Sequence, residues 1–278
     1  MKIGNAAWGF RETPIEKQLA ITQDMGLELL ELSIAGYPTN ELQLDSTADD
    51  ILKIKALFNQ YGISAECAAA GNDFTMADEE KCRMEVEKLC RVIDIAAATK
   101  SKLLRIFAGF SPAAEVKGNR WKTMISCIRE TAAYASKYGI ALAIETHGGV
   151  ERVSETECIH FHSVSTELEM FVDLLKEMPV NVGVNFDPAN LYAVGIEKPE
   201  NFFEAVSSRV NYMHLKDFKR NTATGFLTPV ACGESEMNWK NLMAAIKDFS
   251  GPALIEYENT GDAEDGFRRS LDYLKAVL

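Results

Sequence analysis

Four ionisable side chains stand at the ends of short apolar runs in the second half of the chain. The runs are Ala-Leu-Ala-Ile, Val-Gly-Val-Asn-Phe, Val-Asn-Tyr-Met and Ala-Leu-Ile, and the residues that end them are Glu145, Asp187, His214 and Glu256. Three carboxylates and one imidazole suit Mn²⁺, Mg²⁺ or Co²⁺ better than Zn²⁺, because thiolates and further imidazoles are missing. The pattern predicts a site for one divalent metal ion, with manganese favoured and magnesium, cobalt or zinc as alternatives.

Each of these residues also has a simpler interpretation. A glutamate after a strand is often a helix cap or an ion-pair partner, and a lone histidine in an apolar strand is often a core residue. Asp187 begins Asp-Pro-Ala-Asn, which is typical of a turn. Caps and turns do not readily explain why four successive strands end in this way, and the combination favours the metal site.

Two further polar residues are predicted to contact a substrate. Arg105 interrupts an apolar strand, where it could bind substrate oxygens or form an ion pair with Glu66 or Glu31. His147 lies two residues after Glu145 and faces the same way if the strand continues, so it could support the metal site or bind substrate.

Lys216 and Trp8 are less specific candidates for the same role. Lys216 lies two residues after His214 and could contact an oxyanion, or pair with Asp217 or Glu234 instead. Trp8 ends the first strand and could form an apolar wall for a sugar, although such aromatic residues are often part of the core.

Short apolar runs alternate with longer amphipathic segments along the whole chain. We predict strands at 2–7, 29–33, 63–69, 103–107, 140–145, 182–186, 210–215 and 253–257. We predict helices at 14–25, 48–61, 78–98, 120–138, 166–178, 199–207, 238–249 and 263–277. Glycines 26, 62 and 139 follow helical patterns, where a residue with positive φ usually ends a helix.

Eight strand and helix pairs are the number that closes an α/β barrel, so we predict a single (β/α)8 TIM barrel over residues 1–278. No glycine-rich dinucleotide fingerprint and no linker argues for another arrangement. Segments 148–165 and 218–237 read as long irregular loops. They follow the fifth and seventh strands, so they are expected to cover a substrate, and His160 and His162 are interpreted as loop residues.

Charge and cysteine content restrict the partners and the compartment. The formal net charge of -12 repels phosphate backbones and anionic lipid, so nucleic acid and membrane surfaces are not expected partners. Six cysteines without a Cys-x-x-Cys pair, and no long apolar run, favour a reduced cytoplasmic protein. The expected partner is a small polyhydroxylated carbonyl substrate, with a homo-oligomer possible.

Several motifs carry a resemblance to a known family that covers nearly the whole chain. They are Leu-Arg-Ile-Phe-Ala-Gly (104–109), Glu-Thr-His-Gly-Gly (145–149), Asn-Phe-Asp-Pro-Ala-Asn (185–190), His-Leu-Lys-Asp (214–217), Gly-Glu-Ser-Glu-Met-Asn-Trp (233–239) and Ile-Glu-Tyr-Glu (255–258). With them the chain resembles the xylose isomerase-like TIM barrels, which include sugar isomerases, sugar epimerases and type IV apurinic endonucleases. The resemblance implies that Glu145, Asp187, His214 and Glu256 hold the metal.

The same resemblance implies roles for four residues in catalysis and substrate binding. Glu145 and Glu256 would act as the acid/base pair. Arg220, six residues after His214, matches a substrate-binding arginine of the ketose 3-epimerases. Asn190, also expected to contact the substrate, stands where those epimerases have a histidine, so the chain departs from them there.

This chemistry allows two reaction classes. A divalent cation that chelates a hydroxy-ketone stabilises the enediolate formed when a carbon-bound proton leaves. Return of the proton by a second carboxylate gives an isomerase or epimerase, the favoured function. Loss of a β-hydroxyl instead gives a lyase that dehydrates a keto-cyclitol or keto-acid, the alternative. An apurinic endonuclease needs more metal-binding histidines than the four in this chain.

Overall fold

Eight parallel strands form the centre of the computed structural model, which describes residues 1–37, 41–259 and 261–277. The described residues contain twelve strands in chain order: β1 (Lys2–Asn5), β2 (Leu32–Ser33), β3 (Cys67–Ala69), β4 (Leu103–Ile106), β5 (Ala141–Glu145), β6 (Gly149–Arg152), β7 (Cys158–Phe161), β8 (Val182–Phe186), β9 (Val210–Leu215), β10 (Asp217–Arg220), β11 (Leu227–Val230) and β12 (Pro252–Ile255). The central eight are all of these except β6, β7, β10 and β11.

The central strands pair side by side in the order β1, β12, β9, β8, β5, β4, β3, β2. Backbone hydrogen bonds then join β1 to the segment that leads into β2, which are the two ends of this order: Asn5 N donates to Leu29 O at 3.0 Å, and Glu31 N donates to Asn5 O at 2.9 Å. Because the first strand meets the second in this way, the sheet closes into a barrel.

The described helices alternate with the central strands. They are α1 (Ile15–Asp24), α2 (Ala48–Tyr61), α3 (Glu79–Thr99), α4 (Asn119–Ser136), α5 (Leu168–Glu177), α6 (Pro188–Ala193), α7 (Pro199–Val206), α8 (Trp239–Ile246) and α9 (Ala263–Val277). Helix α2 shows why the sequence forms them: Thr47 and Asp50 make a reciprocal capping box at its start, and Gly62, with φ of 67°, ends it. The predicted (β/α)8 architecture is confirmed.

All eight predicted strands and all eight predicted helices are found near their predicted positions. One helix, α6, was not predicted. Asp187 begins Asp-Pro-Ala-Asn, which by itself is typical of a turn, but here its side chain accepts the backbone N–H of Asn190 and Pro188 occupies the first helical position. An aspartate cap followed by proline suits the start of a short helix as well as a turn.

The interpretation of 148–165 and 218–237 as irregular loops was wrong. These segments contain β6, β7, β10 and β11, which pair in the order β10, β11, β7, β6 as a separate four-stranded sheet with antiparallel pairing. Residues of this sheet line the cavity described below, and the role of the segments in covering a substrate stays a prediction.

Asp217 fastens the start of β10 to the segment that leads into α8. Its carboxylate accepts hydrogen bonds from Phe218 N, Gly233 N and Trp239 Nε1 at 3.0, 2.9 and 2.9 Å, and from the hydroxyl of Ser235. Four donors satisfy this buried carboxylate. Asp217 lies only three residues after His214, so these hydrogen bonds also hold in place the segment that connects β9 to β10.

The apolar core lies mainly between the strands and the surrounding helices. A second, smaller cluster contains Ala6, Leu29, Cys67, Ala143, Tyr212 and Leu254. Tyr212 lies two residues before His214 and therefore on the same face of β9, which places this cluster inside the barrel below the site. Among the described residues, we find no helix with the length and apolar character that crossing a bilayer requires.

Candidate metal centre and active site

The four predicted metal ligands meet at one end of the barrel. Glu145 ends β5, Asp187 follows β8, His214 lies in β9 and Glu256 follows β12, and these four strands are neighbours in the sheet. One ligand atom from each residue lies within 4.8 Å of the others. All four side chains are buried, with 3% exposure at most.

The donor atoms of this cluster leave room for a cation. His214 Nδ1 lies 3.6 Å from Glu145 Oε1 and 3.6 Å from Glu256 Oε1. Within the described residues, His214 Nδ1 makes no hydrogen bond, and Asp187 Oδ2 makes none beside its ion pair with Lys216 Nζ. Buried polar atoms normally have a hydrogen-bond partner, so the unsatisfied Nδ1 and the carboxylates around it fit a hard divalent ion bound by three carboxylates and one imidazole.

The ammonium group of Lys216 lies among the same carboxylates. Its Nζ is 3.1 Å from Asp187 Oδ2, 2.7 Å from Glu256 Oε2, 3.9 Å from Glu145 Oε1 and 2.7 Å from Glu258 Oε1. Burial would lower the pKa of Lys216, but the surrounding carboxylates, Asp187 first, raise it well above its usual value. Lys216 lines the cavity described below, and its predicted contact with an oxyanion stays a prediction, whereas the alternative pairs with Asp217 or Glu234 are not formed.

The surrounding charges keep two of the carboxyl groups ionised. Burial would raise the pKa of Glu145, but Arg105 and His214 lower it far below its usual value. Burial acts in the same direction on Glu256, and there Lys216 and His214 lower the pKa. Asp187 differs, because burial raises its pKa to about 7 despite Lys216. Glu145 and Glu256 are therefore anionic and able to accept protons or bind a cation.

Arg105 contacts Glu145 directly. Its Nε lies 3.2 Å from Glu145 Oε2, and its Nη1 donates to Ala70 O at 2.9 Å. The expected alternatives, ion pairs with Glu66 or Glu31, are not found. Strand β4, which carries Arg105, pairs with β5, so the buried guanidinium lies next to the carboxyl end of β5. Arg105 also lines the cavity described below.

Asn190 supports two of the predicted metal ligands. Its Nδ2 donates to Glu145 Oε1 at 3.0 Å, and its backbone N donates to Asp187 Oδ1 at 2.9 Å. Asn190 is fully buried and is not among the residues that line the cavity. The structure therefore places Asn190 against the ligands, while the predicted contact with substrate stays a prediction.

A cavity of about 350 Å³ opens beside Glu145 and Glu256. Pockets of this size hold small ligands. Its polar lining includes Arg105, His147, His160, Lys216 and Glu258, and its apolar lining includes Trp8, Tyr37, Phe107, Phe110, Val150 and Pro229. Trp8 is 39% exposed at this wall, and its predicted contact with a substrate stays a prediction.

His147 lies in the cavity wall as an uncharged imidazole. Burial lowers its pKa, and its Nδ1 contacts the carbonyl oxygen of Gly148. The ring packs edge-on against Phe107 and Phe110, with centroids 5.1 and 5.5 Å apart. When Nδ1–H donates to Gly148, Nε2 remains as a hydrogen-bond acceptor.

Three residues that line the cavity, His160, Cys158 and Glu258, were missed as site residues. His160 was interpreted as a loop residue, but it lies in β7 and lines the cavity, where burial lowers its pKa to about 3. Cys158 lines the same cavity two positions earlier, and this period of two was the available signal. Glu258 likewise follows Glu256 by two residues.

Arg220 is not brought to the cavity. Its Nη2 donates to Tyr192 O and Ala193 O, both at 3.2 Å, and its Nη1 donates to Gly225 O at 3.2 Å. These bonds link the end of α6 to the turn after β10. The guanidinium thus stabilises a chain connection here, and its predicted contact with substrate stays a prediction.

Comparison with known proteins decides the family. The family described as xylose isomerase-like TIM barrel matches residues 19–277. The chain belongs to this family. No curated protein sequence gave a significant match. The barrel and its family are therefore established together.

Solved structures share the whole barrel with this xylose isomerase-like chain at low sequence identity. The probable 3-DHS dehydratase AsbF of Bacillus anthracis is 15% identical, with a TM-score of 0.78 over 99% of both chains. D-allulose 3-epimerase of Methylomonas sp., in complex with D-allulose, is 16% identical, with a TM-score of 0.77 over 100% of this chain and 97% of the epimerase.

A third similar structure is the IOLI protein with a bound zinc atom. It is 16% identical, with a TM-score of 0.77 over 100% of this chain and 98% of that one. Identities this low show a common fold alone. Enzymes of more than one class thus share the barrel of this xylose isomerase-like chain.

Proposed function

We propose that this protein is a divalent-metal-dependent isomerase or epimerase of a small polyhydroxylated carbonyl compound, a sugar or sugar phosphate. The observation that carries the proposal is the pair of buried glutamates beside His214, at the mouth of a sugar-sized cavity. A bound divalent cation would supply the positive charge that stabilises an enediolate. Mn²⁺ is the favoured ion, because carboxylate ligands suit it and thiolates are missing from the cluster.

The protein's own groups are suited to move the proton. Glu145 is held by Arg105 and Asn190, whereas Glu256 is held by Lys216. The two carboxylates lie at the ends of separate strands. One glutamate, as the free carboxylate, would remove the proton next to the carbonyl, and the other, protonated when substrate is bound, would return its proton to the opposite face or to the neighbouring carbon.

The cavity walls are suited to a sugar. Aromatic side chains such as Trp8 and Phe107 offer apolar faces for C–H groups, and uncharged His147 and His160 offer hydrogen bonds to hydroxyl groups. The D-allulose complex of the epimerase with the same fold supports this substrate class. Arg105 and Lys216, which also line the cavity, add positive charge beside the reacting carbonyl.

One observation favours a second function, a lyase that dehydrates a keto-cyclitol or keto-acid. Asn190 occupies the position at which the ketose 3-epimerases are expected to have a histidine, and it contacts Glu145 at 3.0 Å. The probable 3-DHS dehydratase AsbF has the same fold over 99% of its chain. A dehydratase would begin with the same proton removal and then expel a β-hydroxyl.

Isotope exchange with glutamine variants tests the proposal. Substrate incubated with the wild-type enzyme and Mn²⁺ in D₂O should gain deuterium on the carbon next to the carbonyl. Glu145→Gln and Glu256→Gln each keep an oxygen ligand but lose the base, so turnover should fall by about 10² to 10⁴ while most metal remains bound.

The product separates the two functions. An isomerase or epimerase returns a compound of unchanged formula apart from the deuterium, whereas a dehydratase releases a product lighter by one water. Full activity in both glutamine variants would overturn the proposed proton transfer for either function. A cytoplasmic location and a homo-oligomeric state remain predictions, to be measured by fractionation and by light scattering.

A further inference from the structure

Glu31 is a fully buried carboxylate beneath the metal ligands, in the residue just before β2. Three donors converge on it. His214 Nε2 lies 3.0 Å and Tyr212 OH 3.1 Å from Glu31 Oε1, and Ala7 N donates to Oε2 at 3.2 Å.

Because Ala7 N and Tyr212 OH both donate to it, the Glu31 carboxylate acts here as a hydrogen-bond acceptor. A His214 ring that binds a metal ion through Nδ1 carries its proton on Nε2, the nitrogen that faces Glu31. The other ring nitrogen, Nδ1, is then directed at Glu145 Oε1 and Glu256 Oε1, 3.6 Å from each, and it has no hydrogen-bond partner within the described residues. We propose that Glu31 is a positioning residue that fixes the tautomer and ring orientation of His214, so that the Nδ1 lone pair is available to the metal.

The arrangement of donors argues that this carboxylate is more than a structural acceptor. Ala7 N and Tyr212 OH could be satisfied by any buried oxygen, but the bond to Nε2 decides which histidine nitrogen meets the carboxylate cluster. Metal-binding histidines generally hold their second nitrogen in this way, and loss of the partner weakens metal binding by about 10- to 100-fold. The inference rests on the metal site of the proposed function, and it is independent of the reaction class.

Two matched variants test the proposal through Mn²⁺ binding, measured by the electron paramagnetic resonance signal of free Mn²⁺. Glu31→Gln keeps the size of the side chain, but its amide N–H₂ must face either His214 and Tyr212 or Ala7 N, all of which donate. We expect its Mn²⁺ affinity to fall about 10- to 100-fold. Tyr212→Phe removes a donor to the same oxygen and leaves the contact between Glu31 and His214, so its affinity should stay within about threefold of wild type.

Nitrogen NMR of the histidines gives a readout that a purely structural role would not change. The chain has four histidines, and the His214 signals can be assigned with a His214→Gln variant. In the wild-type protein with bound Zn²⁺, which is diamagnetic, His214 should carry its proton on Nε2. In Glu31→Gln the population of this tautomer should decrease.

Three outcomes would overturn the proposal. They are a wild-type His214 with its proton on Nδ1, an Mn²⁺ affinity of Glu31→Gln equal to wild type, and equal losses of affinity in Glu31→Gln and Tyr212→Phe. The first is measured on the wild-type protein, so it decides the matter even if Glu31→Gln does not fold. Failure of the proton-transfer test with normal results here would reject the reaction and leave the role of Glu31 intact.

Discussion

Replacing Lys216 with methionine removes the ammonium group that lies among the predicted metal ligands. In the protein without metal this group is 2.7 Å from Glu256 Oε2 and 3.1 Å from Asp187 Oδ2. A divalent ion held by the same oxygens must compete with it. Lys216 also contacts Glu258 at 2.7 Å, outside the ligand set, so it has a partner toward which it can withdraw.

The distances set the size of the effect. A hydrogen bond to a charged group contributes about 1.5 to 3 kcal/mol, so giving up the contacts to Glu256 and Asp187 costs about 3 kcal/mol when metal binds. Lys216→Met does not have this cost. Since 1.4 kcal/mol corresponds to about tenfold in affinity, we expect the variant to bind Mn²⁺ about 100-fold more tightly than wild type.

The stability of the metal-free protein should change in the opposite direction. Removing one partner of a buried ion pair typically costs about 3 to 5 kcal/mol, so metal-free Lys216→Met should unfold at a lower temperature. Saturating Mn²⁺ should restore much of the loss, because the ion then compensates the carboxylates.

Titration calorimetry with Mn²⁺ at pH 8, above the pKa of about 7 of Asp187, measures the affinity, and calorimetric unfolding measures the stability. Lys219→Met is the matched control: it makes the same charge change at an exposed site three residues further on, and both quantities should stay near wild type. A folded Lys216→Met protein that binds Mn²⁺ no better than wild type would refute the competition between ammonium and metal.

Two further predictions concern the segments around the site. Asp217→Asn places an amide N–H₂ against donors that include Trp239 Nε1, so the free energy of unfolding, measured by chemical denaturation, should fall by about 2 to 4 kcal/mol. An unchanged free energy of unfolding would show that these hydrogen bonds do not stabilise the fold. Arg220→Ala removes hydrogen bonds to Tyr192 and Ala193 outside the cavity. The free energy of unfolding should therefore fall by about 1 kcal/mol while KM changes less than twofold. A large rise in KM would instead support the predicted contact between Arg220 and substrate.

The barrel was predictable because its signals are local. Buried parallel strands are short continuous apolar runs, and helix ends carry caps such as Thr47 and glycines such as Gly62. The four ligands were predictable for a related reason: an ionisable residue that ends an apolar strand has to lie at the carboxyl edge of the sheet, where neighbouring strands bring such residues together.

The rest of the site depends on contacts between distant segments, which one sequence does not specify. Glu31 is separated from His214 by 183 positions, and no local pattern marks it as the partner of that histidine. The strands at 158–161 and 227–230 are short and include exposed positions, so their pairing depends on each other and on the barrel beneath them. Arg220 was predicted from its spacing after His214, but the orientation of its guanidinium is set by hydrogen bonds to the end of α6, a helix that was not predicted.

Metal content measures the central claim most directly. Wild-type protein dialysed against excess Mn²⁺ and then against metal-free buffer should retain about one equivalent per chain, by elemental mass spectrometry, because Glu145, Asp187, His214 and Glu256 place four donors within 4.8 Å. Asp187→Ala should retain little, while Asp248→Ala, which removes an exposed carboxylate, should match wild type. Equal metal content in Asp187→Ala and wild type would contradict the site.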